Sequence, residues 1–163
     1  MPLKLNRSFA VTVLLGLVGL LANLPHFTIF TGARLFFGGV FYLAIALMYG
    51  PMHGALAALI SSLPAIVLWA HPETGCLMVA EALAVGWLAQ KRVYPALADL
   101  IYWATVGTPV AALLYIVIFS YPSPYNWVMV VKHPANGLLN VLLADISVTV
   151  RAATLSPSVA IGT

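Results

Sequence analysis

Charge is scarce in this chain: seven basic and four acidic side chains serve 163 residues, 7% of the total. A soluble domain carries roughly 25% charged residues, so an ordinary water-facing surface is excluded. Cysteine occurs once, at Cys76, which rules out an internal disulfide and a multi-cysteine metal site. No polar stretch is long enough for a separate folded domain, so these residues hold no ATPase, kinase or cyclase module. Nucleophile motifs, phosphate loops and nucleotide fingerprints are lacking too. Nothing here reads as an enzyme or calls for a cofactor. The histidines, His26, His53, His71 and His133, never pair as ligands on one helix face, so no metal site is expected.

What is abundant is grease. Hydrophobic residues are 63% of the chain and fall into six long stretches separated by short breaks. A bilayer core about 30 Å thick takes roughly 20 apolar residues per helix. The reading is an all-α, polytopic membrane bundle of about six transmembrane helices. The formal charge of +3 fits basic loops on the cytoplasmic side better than nucleic-acid binding.

Proline and glycine mark the breaks. The spacing predicts helices over Ser8 to Leu24, Arg34 to Tyr49, His53 to Ala70, Gly75 to Gln90, Pro95 to Phe119 and Asn126 to Arg151. Pro64 and Pro109 should bend the third and fifth. The first run reads as a retained helix, because no small-residue cleavage site precedes Pro25. Residues 1–151 form one bundle and 152–163 a flexible tail. With the amino terminus inside, Lys4, Arg7, Lys91, Arg92 and Arg151 face the cytoplasm, against Arg34 and Lys132 outside. That bias predicts both termini in the cytoplasm. Small residues (Gly16, Gly19, Gly38, Gly39, Gly54, Ala57, Ala58 and Ser61) suit close helix contacts.

Ionisable groups inside a bilayer are costly and point to function. Glu81 lies about two turns into the fourth helix, and Arg34 or Lys132 is its expected partner across the bundle. Two readings stand, an ion pair that sets helix register or a ligand- or proton-sensing site. Lys132, Asn136 and Asn140 recur at i, i+4 steps along the sixth helix, and this stripe should face the interior. The asparagines either join helices or read a ligand, and Lys132 either lines the site or snorkels to the interface. His71 lies at a similar or shallower depth. Asp99 and Asp145, near Lys91, Arg92 and Arg151, are expected in structural ion pairs.

Three segments carry a family resemblance. They are RLFFGGVFYLAIALMYGPMHGALAALISSLPAIVLWAHP, then EALAVGWLAQKR with LADLIYWATVGTPVAALLY, then VVKHPANGLLNVLLADI, together covering about residues 30–146. Their order of polar landmarks resembles the amino-terminal integral-membrane sensor region of bacterial hybrid histidine kinases and related diguanylate cyclases. Carried over by position, those landmarks are Arg34, His71, Glu81, Asp99, Lys132, Asn136 and Asn140. The resemblance implies a sensory domain in the bacterial inner membrane, working with a cytoplasmic kinase or cyclase module and capable of forming a homodimer. It departs from the pattern in ending about a dozen residues past the last helix. A weaker likeness, in size, Gly-Pro turns and small-residue helices, is to the substrate-capturing membrane subunits of energy-coupling-factor vitamin transporters. The expected functions are, in order, a signal-input domain for a small ligand or membrane state, a transporter subunit, and an accessory subunit of a larger membrane complex.

Overall fold

Gly50-Pro51, the pair His71-Pro72, Tyr94-Pro95 and the 120–124 turn cut the apolar runs into six helices in the computed structural model. It describes residues 6–25, 27–30 and 33–155, and only the backbone of 27–30, 33 and 155. Lys4, His26 and the segment 156–163 lie outside the described residues. The helices are α1 (Arg7–Ala22), α2 (Gly39–Tyr49), α3 (Pro51–Leu68), α4 (Pro72–Gln90), α5 (Pro95–Ile118) and α6 (Tyr125–Leu155). Of these, α3, α5 and α6 are long and apolar enough to cross a membrane. The last runs to Leu155, so the first four residues assigned to a flexible tail are helical.

Local chemistry explains the boundaries. Pro51, Pro72 and Pro95 open their helices at the first turn, where a missing N–H costs nothing. Gly50 holds φ 91° between α2 and α3, a conformation that favours glycine. Pro64 opens a π-helical stretch, Pro64–Leu68, and Pro109 follows another, Trp103–Gly107. Both fall where bends were expected, because a proline cannot donate into the ladder.

The start of α2 departs furthest from expectation. Arg34 does not begin α2. It sits on β2 (Ala33–Leu35), which pairs antiparallel with β1 (Phe27–Phe30) through Thr28↔Arg34. Residues 36–38 then lead into α2, and three asparagines take up both backbone groups of Phe36 and the N–H of Gly38. Phe36 N–H donates to Asn136 Oδ1 at 3.1 Å, and its carbonyl accepts from Asn136 Nδ2 at 3.0 Å and Asn140 Nδ2 at 2.8 Å. Gly38 N–H donates to Asn23 Oδ1 at 2.7 Å. Non-helical backbone at membrane depth is tolerated where protein satisfies it. Here the satisfaction comes from Asn23, just past α1, and from α6, so helical propensity at Phe36 is overruled.

Helix α4 packs against α2, α3 and α5, α1 lies on α2 and α3, and α6 on α2 and α5. Small residues set the first crossings: Ser61 Oγ donates to Gly16 O at 3.2 Å, and Asn23 Nδ2 to Ser61 O at 2.8 Å. One buried cluster is aliphatic around Leu43, Ile45, Ala58, Val85 and Val141; a second is aromatic around Tyr102, Trp103 and Tyr115. The outer face is apolar, with Leu14, Met52, Val67, Val117 and Val131 at least 60% exposed. Such an exposed apolar surface is stable against lipid and not against water. The chain is a helical membrane protein.

Candidate functional site

The hairpin, the α3–α4 turn and the start of α6 meet at one end of the bundle and partly enclose a cavity of about 240 Å³. Each contributes a basic side chain to its lining. Arg34 comes from β2, His71 from the residue before α4, and Lys132 from the second turn of α6. Its walls are aromatic. Arg34 lies 5.1 Å from the Trp69 ring and Lys132 Nζ 5.5 Å from the Phe36 ring, distances that support cation–π attraction. Phe36 and Trp69 are 5.2 Å apart between centroids. His71 Nδ1 lies 2.7 Å from Glu73 Oε1, within hydrogen-bond distance.

Phe36 and Thr74 also line a deeper hollow of about 20 Å³, with Glu81, Trp103, His133 and Asn136 around it. That is room for one water molecule. Glu81 is fully buried. It accepts from Tyr42 Oη on α2 and, at 2.9 Å, from Trp103 Nε1 on α5. Gly137 brings α6 against this pair; a Cβ there would collide with Glu81 Oε1 and Trp103 Nε1. His133 stacks between the Trp103 and Tyr115 rings, at 6.1 and 5.6 Å. Its Nε2 is 3.0 Å from Tyr115 Oη, which lies 3.5 Å from Thr74 Oγ1. Hydrogen-bonding groups thus line the way from the cationic cavity to the buried carboxyl.

Arg34, His71 and Lys132 come together in the cavity, and Glu81 and Asn136 in the hollow below. Asn140 joins neither; it is buried and holds Phe36 O. The stripe on α6 faces inward, and its two amides bond backbone. Two pairings need correction. Glu81 is held by Tyr42 and Trp103, not by Arg34 or Lys132. The α6 residue at its level is Gly137, and Lys132, five residues earlier, stands about 7.5 Å nearer the hairpin end. Nor do Asp99, Asp145 and Arg92 form ion pairs among the described residues. Arg92 is exposed in a turn. Half-buried Asp145 has no cation within 4.0 Å among the described residues, and Arg151 points to Met48 Sδ at 3.5 Å. Asp99 is turned inward and fully buried beside Glu81, its oxygens lacking a hydrogen-bond partner among the described residues.

Sequence reasoning passed over Tyr42, Trp103, Tyr115 and Asn23. A signal existed for them, since each is a polar-tipped side chain within an apolar run, needing a partner once buried. Among the described residues no three metal-ligating side chains converge. Compared with protein-family models, with curated proteins and with solved structures, the chain matches none.

Proposed function

We propose that this chain is the signal-input domain of a bacterial inner-membrane signalling protein, crossing the membrane six times with both ends in the cytoplasm. The cavity then opens to the outer side, binds a small ligand there, and passes the event to the cytoplasm through α6. One observation carries the reading: Lys132 and Asn136 on α6 line the cavity and the hollow, and the same helix continues to the opposite end of the bundle. At 1.5 Å per residue its 31 residues extend about 46 Å. A ligand bridging β2 and α6 shifts α6 only if it binds two bundle states unequally. A kinase or cyclase module acting downstream supplies the output. In support of six crossings, α2 rises about 16 Å over its 11 residues, and the strand β2 ahead of it adds about 10 Å.

The test is a fusion of the whole chain to a diguanylate cyclase reporter, with Lys132→Gln, Glu81→Gln and Asn136→Leu compared at equal membrane levels. Output should change severalfold in at least the Lys132 and Asn136 variants. Output indifferent to all three sinks the reading.

A second reading, a substrate-capturing transporter subunit, draws on the interrupted α2. Short helices led by satisfied extended backbone are how transporters build sites within the bilayer. Copurification with a coupling subunit and ATPases favours it over signalling.

A further inference from the structure

The cavity carries more positive charge than its own residues balance. Arg34 and Lys132 both face it, and neither has a carboxylate within 4.0 Å among the described residues. Glu73, the neighbouring acid, has its Oε1 bonded to His71. Both cations rest instead over aromatic rings, Trp69 and Phe36. Two like charges facing one partly enclosed space repel each other and lose hydration, and an anion between them relieves both costs. The shape narrows the choice. Phe36, Trp69 and Tyr125 supply flat apolar walls, and about 240 Å³ lies below the common range for drug-sized ligands. That space suits a single ring and is too small for a nucleotide.

Resting on the ligand-binding reading above, we propose that the cavity binds a small carboxylate carried on one unsaturated ring. The ring lies between the aromatic walls. The carboxylate sits between the Arg34 guanidinium, which can donate two parallel hydrogen bonds, and the Lys132 ammonium. A cation of the same shape meets Arg34 and Lys132 as like charges, and a neutral amide leaves both unpaired.

The probe is radiolabelled benzoate, bound to the full chain in phosphatidylcholine nanodiscs, with benzamide and benzamidine as competitors of matched shape. Saturable benzoate binding is expected, weakened about tenfold or more by Arg34→Gln and by Lys132→Gln. Arg34→Lys should retain part of it, Arg92→Gln should leave it unchanged, and helical circular dichroism should be unaltered throughout. Benzamide and benzamidine should compete at least about tenfold less well. Competition by either at equal strength, or binding that survives both glutamine variants, overturns the ligand class and leaves a cavity for another ligand. Loss of benzoate binding when phosphatidylglycerol enters the disc assigns the cationic site to a lipid headgroup and also overturns it. No binding of benzoate by the folded chain refutes the class outright. The cyclase-reporter assay then decides the signal-input reading on its own.

Discussion

The asparagine clamp on Phe36 offers a quantitative test, because one carbonyl is shared between two side chains. Asn136 makes two bonds to the Phe36 backbone and Asn140 one, both amides meeting at the same oxygen. Leucine branches at Cγ as asparagine does, so Asn→Leu removes hydrogen bonding while roughly keeping shape. Asn140→Leu leaves the Phe36 carbonyl still bonded to Asn136. Its cost should be that of one interhelical bond in a membrane protein, about 0.6 kcal/mol. Asn136→Leu orphans the Phe36 N–H, and a buried unpaired group costs about 1–3 kcal/mol. Phe36 borders the 240 Å³ cavity, so water reaches it and the low end applies, about 1 kcal/mol. The double variant orphans the carbonyl as well, a loss neither single change produces. It should cost about 2–3 kcal/mol, more than the two singles added. Unfolding of the purified chain in mixed micelles, followed by helical circular dichroism against denaturant, measures all three. A double variant that is merely additive, or an Asn140 change as costly as that at Asn136, would refute the shared-carbonyl geometry.

Gly137→Ala normally strengthens a helix by about 1 kcal/mol, but here the added methyl meets Glu81 and Trp103. Overpacking at about 1–3 kcal/mol should win, giving a lower melting temperature and altered Trp103 fluorescence. Glu81→Leu strands both the Tyr42 hydroxyl and the Trp103 N–H and should cost about 2–6 kcal/mol in the same unfolding assay. Glu81→Gln, which keeps a carbonyl acceptor, should cost less than half of that. Arg92→Ala should shift stability by no more than about 0.5 kcal/mol, since Arg92 is exposed and pairs with no described carboxylate. A larger loss would restore the ion pair with Asp99.

Reading α6 shows why some of the site was legible and some was not. The i, i+4 recurrence of Lys132, Asn136 and Asn140 is a local signal, since helix geometry alone puts such residues on one face. What they touch is nonlocal, a backbone about 100 positions away, and no periodicity encodes it. Arg34 makes the same point in reverse. Its neighbours FFGGVFY carry helical hydropathy, yet Phe36 stays non-helical because Asn136 and Asn140 of α6 take its hydrogen bonds.

By itself, then, the sequence determined the solvent and the element type, because apolar runs of bilayer length, cut by proline and glycine, can satisfy their backbone in lipid only as helices. It also determined that the Lys132, Asn136 and Asn140 stripe must turn inward, since lipid offers the amides no partner. Tertiary structure decided the pairings. Glu81 went to Tyr42 and Trp103, Asp99 turned away from Arg92, and Arg34, His71 and Lys132 gathered around one cavity. Those outcomes depend on the relative heights and rotations of packed helices, which side-chain volume at contacts such as Gly137 sets and which no single segment contains.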